Sequence, residues 1–402
     1  MLFRGTIRCF IFVFLFIETP AEQSTISRAQ EISEPRSIYN NAPSKEDNES
    51  SSTVKGNLQN SKLTSSFEQN NPYSPNVTAD LQNSQTTPSF KNYTKGTVSN
   101  ENKESCSHER TFPVTLKYWT KKKSTSCFRY VLLNENFCRK RYPETFVIAI
   151  VHSHPKNFKR RSLIRRMWAN NEFYKKFQLA TVFAVGEDPQ HPSVQVTLQR
   201  EWETYEDIIQ FNFLDTYKNL TLKAISWLNW AAKYCPNASY ILKLDDDMFV
   251  NIFGVMRLLR KQSVLNPSVK AFYCTVWTKM KPERNKKSKW YVSYDEFKQA
   301  VYPSYCSGSS YSLTMRAVQP LLDSVPLATF LWVDDAYITG VLANVANVQR
   351  IDIRSIYKFS DDEMNNFFDN PSIFVHLPKT MNKRYALWKK TLEFCNMADC
   401  SK

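Results

Sequence analysis

The stretch YILKLDDDMFVN, residues Tyr240 to Asn251, decides how this chain is read. Its first half, Tyr240–Leu244, is a short apolar run of strand length. It runs directly into three acids, Asp245, Asp246 and Asp247. Adjacent carboxylates repel one another unless a cation or strong donors balance them. Hard cations such as Mg²⁺ and Mn²⁺ take carboxylate oxygens, and one or two carboxylates leave room for the oxygens of a nucleotide diphosphate. The residues alone leave two readings open: such a site, or an acidic loop that caps the segment from Met248 onward.

Working outward, the neighbouring segments alternate in period. Phe146–Val151 is a continuous apolar, β-branched run, as in a strand buried on both faces. Arg160–Asn170 reads as a helix with a basic face. Ala180–Val185 and Ile208–Phe213 read as further strands. In Leu220–Lys233 the residues Leu220, Ala224, Trp227, Leu228 and Ala231 recur at helical spacing. Strand and helix in alternation predict an α/β domain with a mostly parallel central sheet flanked by helices. Such sheets bind ligands beyond the carboxyl ends of their strands, where Asp245–Asp247 falls.

The remaining composition excludes other classes. Only 7 glycines occur in 402 residues, and neither a phosphate-binding P-loop nor a dinucleotide fingerprint is present. The formal charge of +15 is spread along the chain, which argues for a solvated basic surface and against nucleic acid as a partner. Nine cysteines are present, one of them in the N-terminal apolar run. The other eight, with no C-x-x-C pair, suit a disulfide framework in an oxidising compartment, its connectivity open. Residues 1–21 carry Arg4 and Arg8 before the apolar run Cys9–Ile17, and read as a signal-anchor or a cleaved signal peptide. Residues 22–110 are polar, read as a disordered lumenal stem, and hold sequons at Asn48, Asn76 and Asn92. Two more sequons stand at Asn219, a candidate helix cap, and Asn237. Residues 111–402 form the expected catalytic domain.

Over roughly residues 144–380 several ordered motifs go beyond any single acidic pair. NFKRRSLIRRMW (Asn157–Trp168), DIIQ (Asp207–Gln210), DTYKNLTLK (Asp215–Lys223), YILKLDDDMFVN, KWYV (Lys289–Val292) and YPSYCSG (Tyr302–Gly308) follow in sequence. Together they resemble the β-1,3-galactosyltransferase and β-1,3-N-acetylglucosaminyltransferase family, inverting glycosyltransferases of GT-A fold. The resemblance implies that Asp245, Asp246 and Asp247 hold a metal and a nucleotide, with Asp247 the direct metal ligand. It nominates Arg161 and Arg165 for the phosphates, a role that suits a guanidinium. It makes Asp335, in the segment Val333 to Ala336, the catalytic base that deprotonates an acceptor hydroxyl. It offers His376 as a second metal ligand.

The implied cofactor is Mn²⁺ or Mg²⁺, and the implied donor is UDP-galactose or UDP-N-acetylglucosamine. The acceptor is a glycan on a glycoprotein, glycolipid or proteoglycan, joined in β-1,3 linkage. The implied location is the Golgi membrane, single-pass type II with a lumenal catalytic domain, or secretion if the leader is cleaved. Departures from the family pattern are Met167 for Thr, Glu206 for Gly, Asp334 for Glu, and Ser309 and Ser310 after Gly308. None removes an expected ligand or the base. Two rival readings remain: a catalytically silent glycan-binding or chaperone-like protein on the same fold, and a secreted nucleotide-sugar hydrolase.

Overall fold

The computed structural model describes Cys106 and residues 110–118, 122–358, 374–375 and 380–398. The expected leader, the stem apart from Cys106 and Arg110, the sequons at Asn48, Asn76 and Asn92, and His376 lie outside the described residues.

The first six strands are β1 (Thr111–Lys117), β2 (Lys123–Leu132), β3 (Val147–His152), β4 (Leu179–Glu187), β5 (Ile208–Leu214) and β6 (Tyr240–Asp245). They join Ala271–Cys274, Ser310–Thr314 and Gln349–Asp352 in a nine-stranded mixed sheet. Its centre, β5-β4-β3-β6, is parallel, as the apolar runs predicted. On one side β2 and β1 add antiparallel; on the other, Ser310–Thr314 pairs antiparallel with β6.

Helices cover both faces of this sheet. The first four are α1 (Phe158–Met167), α2 (Asn171–Phe177), α3 (Pro192–Tyr205) and α4 (Leu220–Tyr234). All six residues of β3 are buried, and their alternation divides them between two cores. Ile148 and Ile150 pack with Ala224, Trp227 and Leu228 of α4. Val147, Ala149 and Val151 pack with Leu163, Ile164 and Met167 of α1 and with the helix Ile252–Leu265. The basic helix stops at Met167, short of the expected Asn170, because Asn170 caps the next helix. Its side chain accepts from the backbone N–H groups of Glu172 and Phe173.

Two other expectations meet local chemistry. Asn219 stands at the start of α4, yet its side chain makes no capping bond there and donates instead to the Leu214 carbonyl at 2.9 Å. Glu206 ends α3 at φ 51°, the left-handed conformation that glycine adopts without penalty. This is the position at which the family resemblance expects Gly.

The cysteine framework is realised in Cys106–Cys127, Cys138–Cys235 and Cys274–Cys306, and Cys395 is disulfide-bonded as well. Among the described residues no helix is long and apolar enough to cross a membrane. The Cys138–Cys235 bridge spans 97 residues and ties the end of α4 to the turn Phe137–Arg141 that follows β2. Closing so long a loop restricts the unfolded chain, so replacing both cysteines by Ser is expected to lower unfolding free energy by about 2–5 kcal/mol. Denaturant unfolding checks this, and an unchanged midpoint would contradict it.

Candidate active site

The acidic run begins where β6 ends. In register, Asp245 sits beside His152, the last residue of β3, and the Asp246 N–H donates to the His152 carbonyl at 3.0 Å. The three carboxylates then take different roles. Asp246 is buried, 4% exposed, and accepts from three side chains. These are Ser153 Oγ at 2.7 Å, Asn157 Nδ2 at 2.8 Å and Arg160 at 2.7 Å. Its carbonyl accepts from Arg384 in the helix Met381–Ala398. Asp247 is 38% exposed, with a single long contact of 3.4 Å from Arg160. Asp245 accepts from Lys243 at 2.7 Å yet keeps 39% of its side chain open. The surrounding protein mass pushes the Asp245 carboxyl up to about 6; Lys243 opposes that rise, while Asp247 and Asp334 add to it.

Lys243 is the cation inside the site. Buried in β6, it donates to Asp245 and to the Gly308 carbonyl. Burial disfavours its charge, but Asp245, Asp334 and Asp335 outweigh that and hold its proton more tightly than usual. Asp334 and Asp335, about ninety residues further on in sequence, therefore share the field of Asp245. Asp335 opens the π-helical turn Ala336–Leu342 and accepts from the Ala336 N–H at 2.8 Å. Desolvation first, then the charge of Asp334, pushes its carboxyl up to about 7. Beside these acids stand Tyr217 and Trp290, the indole N–H donating to the phenol oxygen. Trp332, Tyr305 and Tyr311 are core residues, at most 9% exposed.

The arginines expected at the phosphates are placed elsewhere. Arg161 is fully buried and spends all five N–H groups on protein. It grips Glu201 with two bonds of 2.9 and 2.7 Å, and Ser153 Oγ and the His154 and Pro155 carbonyls take the others. Arg165 pairs with Asp207 at 2.8 and 2.7 Å and with Glu201 at 2.6 Å. Both lie on the packed face of α1 and tie it to α3 and to Asp207 at the start of β5. Arg160, one position earlier, is the arginine that reaches the acidic run. Position 160 is in phase with Leu163, Ile164 and Met167, so helix spacing alone did not single it out. Lys243 was also missed, although a lysine inside an apolar strand is itself a signal.

A hard divalent cation fits what is present only in part. Among the described residues no three His, Cys, Asp or Glu side chains converge as a complete metal set. Asp247 and Asp245 do present open carboxylate oxygens, the donor type that Mg²⁺ and Mn²⁺ prefer, with phosphate and water able to fill the remaining positions.

Fold and site together define a domain of the glycosyltransferase class. Residues 159–354 match the Galactosyltransferase family model, and the chain carries a domain of that family. Mouse beta-1,3-galactosyltransferase 2 is 32% identical over 219 residues, covering 54% of this chain and 51% of the relative. A mouse acetylgalactosaminyl-O-glycosyl-glycoprotein beta-1,3-N-acetylglucosaminyltransferase is 34% identical over 197 residues, 48% of this chain and 50% of the relative. Human UDP-GalNAc:beta-1,3-N-acetylgalactosaminyltransferase 1 is 31% identical over 223 residues, 55% of this chain and 66% of the relative. The first two matches thus span about half the length of those relatives.

The division of labour among the three aspartates is testable. Asp246→Ala strips the acceptor from buried Ser153 and from the half-buried Asn157 and Arg160, and is expected to cost about 3–5 kcal/mol of stability. Asp247→Ala, at an open position, is expected to change stability by less than about 0.5 kcal/mol. Equal unfolding midpoints for the two variants would refute the distinction.

Proposed function

We propose that the chain is an inverting hexosyltransferase that moves a sugar from a UDP-sugar to an acceptor glycan hydroxyl in β-1,3 linkage. The observation that carries this reading is the closeness of two acidic groups. Asp245 and Asp247 lie at the end of β6 and Asp335 at the start of a helix, near enough for the charges of Asp245 and Asp335 to act on each other. One side suits a leaving nucleotide diphosphate, and the other suits an incoming hydroxyl. The donor sugar is galactose, N-acetylglucosamine or N-acetylgalactosamine, the three that the relatives' names span.

In this reading the acceptor hydroxyl approaches with its proton directed at Asp335. Its oxygen bonds to the anomeric carbon while the bond from that carbon to the diphosphate oxygen breaks, and the proton passes to the carboxylate. A base whose proton affinity lies near neutrality suits this task, because it is partly ionised yet still basic enough to take the proton. Asp247, with Asp245, would hold Mn²⁺ or Mg²⁺, which when bound supplies positive charge to the departing diphosphate. Arg160 keeps Asp246 and Asp247 in place. Tyr217 and Trp290 form a wall along which the acceptor ring lies. An oxidising Golgi lumen as the place of action, with a membrane anchor in residues 1–21, is the setting that the cysteine pairs and the N-terminal apolar run support.

The test is UDP release by the full chain with Mn²⁺, over the three UDP-sugars and a panel of simple glycans. Acceptor-dependent release from one donor is expected. Asp335→Asn should lower kcat by about 10²–10⁴-fold. Because the Asp335 pKa is raised, the base is ionised above about pH 7 and lost below it, so the rate should fall on the acid side of pH 7. Undiminished transfer by Asp335→Asn would overturn the assignment. Release without an acceptor would instead favour a hydrolase, and no release from any pairing a silent glycan-binding protein.

A further inference from the structure

The backbone of Asp335 is tied to the segment Pro303–Gly308, and Thr339, one turn along the same helix, is the joint of that tie. Thr339 is fully buried. Its hydroxyl donates to the Asp335 carbonyl at 2.6 Å and accepts from the Cys306 N–H at 2.8 Å. One hydroxyl satisfies both contacts, its proton going to the carbonyl and an oxygen lone pair accepting the N–H. Cys306 is in turn fixed covalently to Cys274, at the end of a strand in the main sheet. Two residues on, Gly308 passes so close that a Cβ there would lie 3.0 Å from the Asp335 Oδ2. Its carbonyl accepts from Lys243. Gly340 completes the contact: a Cβ there would meet Tyr305 Cβ at 3.1 Å and Pro303 Cγ at 3.2 Å.

The segment Pro303–Gly308 and the turn Ala336–Leu342 are therefore locked face to face at Gly308, Thr339 and Gly340. A hydroxyl bonding back four residues along a helix is by itself an ordinary local contact. Here the same oxygen also takes a buried N–H from a different segment, one anchored by a disulfide. π-helical winding, which is uncommon and recurs at functional sites, marks this turn.

We propose that Thr339 is a positioning residue: it transmits the disulfide-anchored placement of Cys306 to the backbone of Asp335, and so fixes the distance between the base and the acceptor hydroxyl. The inference rests on Asp335 being the base. Its effect falls on the acceptor half first, because Thr339 and Cys306 bond to the backbone around Asp335, while the following Gly308 and Ser309 meet Lys243 and Asp245. Its signature is a loss in kcat with donor binding unchanged.

The experiment compares Thr339→Val and Thr339→Ser in the full chain, with Asp335→Asn beside them. Val keeps the branched shape and removes the hydroxyl; Ser keeps the hydroxyl. A displacement near 1 Å at a reacting group can slow a reaction by about 10²-fold, so a fall in kcat of that order is expected for Val. Ser should stay within about threefold of the parent chain, and the KM for the UDP-sugar should not move in either. Should Thr339→Val fail to fold, Cys274→Ala with Cys306→Ala cuts the covalent tie and leaves the hydroxyl; it should show the same loss of kcat at unchanged donor KM. A Val variant within twofold of the parent overturns the proposal, and so does an equal loss in Val and Ser, which would mean the packing of the side chain matters and not its hydroxyl. If Asp335→Asn stays active, the assignment of the base fails instead, and the two failures are told apart in one assay.

Discussion

The contact between Ser153 and Asp246, 2.7 Å long and buried, is the point on which the site turns. A carboxylate taken out of water must be matched by donors, or folding loses several kcal/mol. Ser153 supplies one such donor immediately after β3, and its own atoms are shared three ways. Its hydroxyl oxygen also accepts from Arg161, and its carbonyl accepts from Lys223 of α4. The end of β3, the start of α1, the first turn of α4 and the end of β6 are thus bound to one residue. With Asp246 pinned inward, the carboxylates on either side of it are left toward the cleft. Three consecutive acids therefore become one structural group and two available ones.

The same constraint explains the buried cations. Arg161 and Arg165 answer Glu201 and Asp207, and Lys223 answers Asp215 at 2.8 Å. Each set is matched within itself, and removing one partner would strand the other in a medium that penalises lone charge. Lys243 is different. It pairs with Asp245 and faces Asp334 and Asp335 as well, so one buried cation stands among several acids. Every carboxyl near it is pushed upward by desolvation and by its neighbours, as Asp245 and Asp335 are.

What was legible in the sequence was local. β3 announced itself by an unbroken apolar run, β6 by one interrupted at Lys243, and α4 by the spacing of Ala224, Trp227, Leu228 and Ala231, because burial on a sheet or a helix face leaves a period. The acidic run at the end of β6 followed from the topology of parallel sheets. The roles of Arg161 and Arg165 were implied by the family resemblance, and the residue type fits phosphate and buried carboxylate equally well. Positions 161 and 165 share a face with Ile164 and Trp168, which are buried. The approach of Asp335 to Asp245 had no local signal. It depends on Ser310–Thr314 pairing with β6, and on Gly308 having no side chain to hold the later helix away.

The acid surplus of the cleft bears directly on the proposed chemistry. A diphosphate entering beside Asp245 and Asp247 adds negative charge where carboxylates already repel, and Arg160 and Lys243 are committed to them. A divalent cation arriving with the diphosphate brings a nearly balanced pair, so the pocket can accept the donor without exposing Asp335 to a large new field. The proton affinity of Asp335 then continues to be set by burial and by Asp334. A base near neutrality is thereby compatible with a charged leaving group a short way across the same cleft. The donor half is positioned by Ser153 through Asp246 and the acceptor half by the segment that carries Cys306 and Gly308, and the two meet where the Asp245 N–H donates to the Ser309 carbonyl at 3.0 Å.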